Sequence, residues 1–120
     1  MQPMLAIVED DASARAALIS LAGALGFSAH GFPDAASLLA FPQFDRVRCL
    51  ICDMRLPGIN GLQLHHRLRD AGHDLPVILI TGYPDPTTAH AALRAGVVAY
   101  LAKPVSPERL LACLRAALQR

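Results

Sequence analysis

The 120-residue chain is 53% hydrophobic and 18% charged, with a formal net charge of +1, which fits one domain spanning residues 1–120 whose core needs neither disulfides nor a structural metal. Its basic residues are dispersed rather than gathered into a face for a phosphate backbone, and no apolar stretch is long enough to span a bilayer. The amino terminus lacks a secretory pattern, and three cysteines are an odd set for a disulfide framework, so a cytoplasmic location is expected.

In chain order, Leu5 to Val8 is an apolar run that ends on Glu9-Asp10-Asp11 and reads as a first strand. Ala17, Leu18, Leu21 and Leu25 then recur at helical spacing, with Asp11 suited to the N-cap and Gly26 to the stop. Phe27 to Phe32 is a second strand, and Asp34 caps a helix carrying Leu38, Leu39 and Phe41. The third strand contains Cys49-Leu50-Ile51-Cys52 and ends on Asp53, before a Leu56-Pro57-Gly58 turn. Continuous apolar runs of this kind are strands buried on both faces, so their last residues emerge at the carboxyl edge of a sheet.

Cys49 and Cys52 spell C-x-x-C, but residues three apart on a strand point to opposite faces, so core packing is expected rather than a metal or redox site. Asn60 and Gln63 have capping-box spacing for a third helix that ends near Gly72 and carries Leu62, His65, His66 and Arg69. The adjacent His65 and His66 point in different directions, which disfavours a paired metal site, and both read as surface residues.

Val77 to Ile80 is a fourth strand, terminating at Thr81-Gly82. Pro84-Asp85-Pro86 turns the chain into a weakly apolar fourth helix, whose single large aliphatic side chain is Leu93 and which Gly96 closes. Little apolar surface makes this one of the looser elements. Val97 to Ala102 is a fifth strand leading to Lys103-Pro104. Ser106-Pro107-Glu108 then opens a last helix, with Leu110, Leu111, Leu114 and Leu118 facing the core.

Five strands alternating with five helices imply an α/β fold with a parallel sheet covered on both sides. Four of the strands finish on polar or charged residues, namely Glu9 and Asp10, Asp53, Thr81 and Lys103, and parallel strands bring these to one edge. Two carboxylates about 4 Å apart repel by about 4 kcal/mol at an effective dielectric near 20, so the three acids call for a cation. Mg²⁺, which takes oxygen ligands and keeps open positions, suits such a site better than zinc. With the Lys103 ammonium and the Thr81 hydroxyl nearby, the set describes a carboxylate that can be phosphorylated.

Over essentially its full length the sequence resembles the receiver domain of two-component response regulators. The resemblance lies in Glu9-Asp10, in Asp53 with Leu56-Pro57-Gly58 and Asn60-Gly61, in Thr81-Gly82, in Tyr100 and in Lys103-Pro104. It implies a (βα)5 doubly wound sheet in the flavodoxin-like order 2-1-3-4-5. It also implies that Asp53 accepts a phosphoryl group from a phosphohistidine on a sensor histidine kinase.

Asp10, Asp53 and the backbone carbonyl of Arg55 would ligate Mg²⁺, with Glu9 acting mainly through water. Lys103 and Thr81 would hold the phosphoryl oxygens, with the Gly82 backbone close by. Thr81 moving toward the phosphoryl group would let Tyr100 turn inward, altering the face made by the fourth helix, fifth strand and fifth helix. A cis bond between Lys103 and Pro104 belongs to the same pattern. Glu9 departs from it, standing where the family more often has Asp.

The resemblance makes the chain a phosphoacceptor with self-phosphorylation and autodephosphorylation only, rather than an enzyme acting on a separate metabolite. A phosphatase with an aspartyl nucleophile needs a second acid two residues on, where Arg55 stands. No glycine-rich phosphate loop follows the first strand, which disfavours nucleotide binding. The Ile80-Thr81-Gly82 and Ala95-Gly96-Val97 segments resemble regulators with a helix-turn-helix output domain. Such a regulator would homodimerise on phosphorylation and touch DNA only through that output domain. A free-standing receiver, or a phosphate-independent one working through protein contacts, stays open as the alternative.

Overall fold

A computed structural model of the protein, which describes residues 3–119, contains one five-stranded parallel sheet. The strands are β1 (Met4–Val8), β2 (Ser28–Phe32), β3 (Val47–Asp53), β4 (Val77–Thr81) and β5 (Ala99–Ala102). The helices are α1 (Ala12–Ala24), α2 (Ala35–Leu39), α3 (Gly61–Asp70), α4 (Pro86–Arg94) and α5 (Pro107–Leu118), with a one-turn 3-10 helix at Phe44–Arg46. The strand order is β2-β1-β3-β4-β5, the doubly wound order that the family resemblance implies; alternation of strands and helices calls only for a parallel sheet covered on both sides.

Two apolar layers cover the sheet. On one side Leu18 and Ala22 of α1 and Leu110, Leu114 and Ala117 of α5 pack against Leu5, Ile7, Cys49, Ile51, Ile78 and Ile80. On the other, Ala35 and Leu38 of α2, Leu64 and Leu68 of α3 and Ala92 of α4 pack against Ala6, Val8, Leu50, Cys52 and Leu79. Each fully buried Leu or Ile contributes roughly 1.5–3 kcal/mol. Cys49 and Cys52 therefore lie in opposite layers, and both are fully buried in the core. Among the described residues no helix is long and apolar enough to cross a membrane.

Side-chain caps begin the helices where the sequence places them, and Asp85, read only as part of a turn, caps α4 as well. Asp11, Asp34, Asp85 and Ser106 each accept an N–H from the residue three positions on, and Asn60 with Gln63 forms a complete capping box.

Several boundaries and faces differ from the sequence reading. β5 starts at Ala99, not Val97, because the Val97 N–H bonds back to the Ala92 carbonyl and belongs to the turn closing α4. At that turn Gly96 adopts φ +97°, the left-handed region that favours glycine. α2 ends at Leu39, which is largely exposed, and Phe41 lies beyond it. Ala17 faces solvent, and the buried stripe of α1 runs through Leu18 and Ala22 instead. On α5, Leu111 and Leu118 are only partly covered and Ala117 completes the stripe. α4 buries Ala92, while Leu93 is 52% exposed.

His65 is the clearest correction. It is 2% exposed rather than a surface residue, whereas His66 is exposed. Its Nε2 lies 2.9 Å from the Ala95 carbonyl at the end of α4, so this nitrogen donates and α3 is tied to the α4–β5 turn. Its Nδ1 is buried with no hydrogen-bond partner among the described residues. Burial lowers the His65 pKa against the opposing pull of the Ala95 carbonyl, and the charges of Arg69 and His66 lower it further.

The unfolded chain therefore takes up this proton first, near pH 6.5. Stability owed to neutral His65 is complete above that pH and is lost as pH falls through the lower folded value. Urea midpoints of wild type and His65→Gln at about pH 7.5 and about pH 5.5 check this, with a smaller acid loss expected in the variant.

Candidate functional site

Because every strand is parallel, all five carboxyl ends lie on one edge, and β1 and β3 are neighbours there. This is where the strand order reverses and a crevice opens beyond the sheet. β1 delivers Glu9 and Asp10, β3 delivers Asp53 as its last residue, β4 delivers Thr81, and the turn after β5 delivers Lys103. Glu9 and Asp53 are 1% and 6% exposed, although both are carboxylates. Buried charges of this kind persist only when they are paired.

Lys103 provides the pairing. Its Nζ donates to Glu9 Oε1 at 2.6 Å and to Asp53 Oδ2 at 2.7 Å, bridging the two acids. The remaining oxygens are held by the backbone, Glu9 Oε2 by the Asp11 N–H at 3.1 Å and Asp53 Oδ1 by the Arg55 N–H at 3.0 Å. Burial raises the Glu9 pKa, and the hydrogen bond from Lys103 only partly offsets it because the Asp53 charge pushes the same way as burial. Burial also works against the Lys103 ammonium, but the bonds to Asp53 and Glu9 outweigh it and raise the lysine pKa. Burial together with the Asp53 and Glu9 charges drives the Cys52 thiol pKa up, so this cysteine stays protonated and inert.

Glu9, Asp10 and Asp53 each offer a carboxylate oxygen, and these oxygens lie within 4.8 Å of one another. The donors are all oxygen and carry three negative charges, which fits a hard divalent cation and not zinc. Asp10 is the exposed member of the set.

Thr81 is buried, and its Oγ1 accepts the Tyr83 N–H at 3.0 Å; Gly82 between them is exposed. The Lys103 N–H donates to the Thr81 carbonyl at 2.8 Å, and the Lys103-Pro104 peptide is cis. Tyr100 is partly buried, and its hydroxyl accepts the Asp85 N–H at 3.3 Å at the start of α4.

Three further residues support the site. Arg15 of α1 donates through Nη1 to the Glu9 carbonyl at 2.8 Å, bracing the end of β1. Gly61 sits beneath Asp53, where a Cβ would come 2.7 Å from the Asp53 carbonyl oxygen. The exposed Tyr83 ring stacks with Arg55, whose guanidinium carbon is 4.0 Å from its centre. Arg15 and Tyr83 carry no local signal, because each depends on a partner brought close only by the fold, whereas Gly61 stands in the Asn60-Gly61 pair that carries the resemblance.

The site is thus a lysine spanning two buried acids at the carboxyl edge of a 2-1-3-4-5 sheet. Residues 5–115 match the response regulator receiver domain, and the chain belongs to that family of phosphorylation-activated signalling switches. Among its relatives, Response regulator protein TodT of Pseudomonas putida is 36% identical over 113 residues, covering 94% of this chain and 50% of TodT. Transcriptional regulatory protein FixJ of Bradyrhizobium diazoefficiens is 32% identical over 115 residues, covering 95% of this chain and 56% of FixJ. The chain thus spans about half the length of these curated relatives.

Solved structures agree on the fold. The crystal structure of FixJ-N superposes with a TM-score of 0.88 at 28% identity, covering 100% of this chain and 96% of that one. Response regulator StyR gives a TM-score of 0.88 at 31% identity, covering 99% of this chain and 60% of its own.

Proposed function

We propose that Asp53 is the phosphoacceptor of a two-component switch, receiving its phosphoryl group from a phosphohistidine on a sensor histidine kinase. An Asp53 carboxylate oxygen attacks phosphorus, the P–N bond breaks, and the electron pair leaves on the imidazole nitrogen. The observation that carries this reading is Lys103 bridging Glu9 and Asp53 at 2.6 and 2.7 Å. It sets a cation against the buried acceptor and leaves that cation beside whatever Asp53 acquires. Transfer of this kind is mostly positioning and charge neutralisation, so a few residues suffice.

Asp10, Asp53 and the Arg55 carbonyl are the residues to hold Mg²⁺, with Glu9 acting through water. When bound, Mg²⁺ neutralises charge on the acids and on the phosphoryl oxygens. Thr81 and the Gly82 N–H hold those oxygens together with Lys103. A charge added at Asp53 then biases a two-state element through Thr81 and Tyr100, changing the face of α4, β5 and α5.

The name of FixJ, a transcriptional regulatory protein, favours a transcriptional output; in this reading that output works through a DNA-binding domain and a homodimer formed on phosphorylation, in the cytoplasm. Incubation with acetyl phosphate and Mg²⁺ should add one phosphate to wild type and none to Asp53→Asn, read by intact mass. Equal labelling of both would remove Asp53 from this role.

A further inference from the structure

Around the rim of the acidic crevice, three contacts link four residues in a chain from Asp53 to Thr81. The Arg55 N–H donates to Asp53 Oδ1 at 3.0 Å, the Arg55 guanidinium carbon lies 4.0 Å from the centre of the Tyr83 ring, and the Tyr83 N–H donates to Thr81 Oγ1 at 3.0 Å. Asp53 and Thr81 end the adjacent strands β3 and β4. Arg55 and Tyr83 thus spend their backbone N–H groups on the two strand-end side chains and their own side chains on each other. Tyr83 is 68% exposed, so its ring gains little from burial and is placed by this stack.

We propose that the Arg55–Tyr83 stack is a latch that holds the Thr81 hydroxyl in its resting position and so sets how readily the site accepts a phosphoryl group. The inference rests on the phosphoacceptor reading. Thr81 reaches a group newly attached to Asp53 by releasing the Tyr83 N–H or by drawing the Tyr83 backbone after it. Either movement pulls the ring away from Arg55, whose backbone stays tied to Asp53.

The stack therefore stabilises the resting arrangement alone. Apparent affinity for a phosphoryl ligand is reduced by the fraction of molecules whose latch is open. Arg55 and Tyr83 are positioning residues in this scheme, since they act through Thr81. An exposed cation–π pair corresponds to about two- to fivefold in such an equilibrium.

The test is titration of the whole chain with beryllofluoride, a phosphoryl mimic, in Mg²⁺, followed by calorimetry. Tyr83→Ala should bind about two- to fivefold more tightly than wild type, and Tyr83→Phe, which keeps the ring face, should bind as wild type does. In an Arg55→Ala background, Tyr83→Ala should have no further effect. That loss of effect separates the latch from a simple change of loop structure or of charge.

Equal affinity in wild type and Tyr83→Ala, or the same gain in both backgrounds, would overturn the latch and leave the phosphoacceptor reading standing. Binding by none of the proteins, wild type included, would overturn both.

Discussion

Lys103→Met should cost about 2–3 kcal/mol of stability at neutral pH, less than the roughly 3–5 kcal/mol for breaking a fully buried ion pair, because the lysine side chain is 30% exposed. The loss arises from the acids left behind. Glu9 is almost wholly buried and would keep only the Asp11 N–H, while Asp53 would face it with no cation between them. Adding Glu9→Gln to Lys103→Met should recover much of the loss, because one of the two uncompensated charges is then gone. Urea unfolding of the single and double variants reads both effects. If Lys103→Met were as stable as wild type, the acids would be screened by water and the crevice would not be the low-dielectric site described above.

Gly61→Ala is the second large effect. Its new Cβ would lie 2.7 Å from the Asp53 carbonyl oxygen, 2.9 Å from a Leu79 methyl and 3.3 Å from the Asp53 carbonyl carbon. Two of those three atoms are backbone at the end of a central strand and cannot swing aside. Overpacking of this kind costs about 2–3 kcal/mol, and it displaces Asp53, so phosphorylation by acetyl phosphate should slow as well. Gly31→Ala is the matched control. Its Cβ would meet Ile19 and Arg15 side chains at 2.8 and 2.9 Å, and those have rotamers to yield with. A denaturant midpoint for Gly61→Ala no lower than that for Gly31→Ala would show that the β3–α3 junction relaxes freely.

The sheet and its functional edge were readable because buried parallel strands are continuous apolar runs, and each ends abruptly on a polar residue or a turn. Caps were readable for a similar reason, since Asp11, Asp34, Asn60 and Ser106 act on backbone only three residues away; Asp85 does the same but was read only as part of a proline turn. Failures came where a side chain's fate depends on distant backbone. His65 is buried by a carbonyl 30 positions along the chain, which no helical spacing announces. Leu93 points to solvent because the small Ala92 is what α4 sets against the sheet. Val97 reads as strand from its branching, but its N–H is spent closing the preceding helix. The acids were placed at one edge by topology alone. That Lys103 bridges two of them, and that Arg15, Gly61 and Tyr83 shape the rim, required coordinates.

An acyl phosphate is reduced by borohydride to the corresponding alcohol, so a phosphorylated aspartate is recorded as homoserine in the peptide that carried it. Protein treated with acetyl phosphate and Mg²⁺, reduced and mapped by mass spectrometry, should carry homoserine at position 53 and at no other aspartate. Homoserine at position 10, or phosphate taken up with position 53 unchanged, would contradict the assignment of Asp53 as the acceptor.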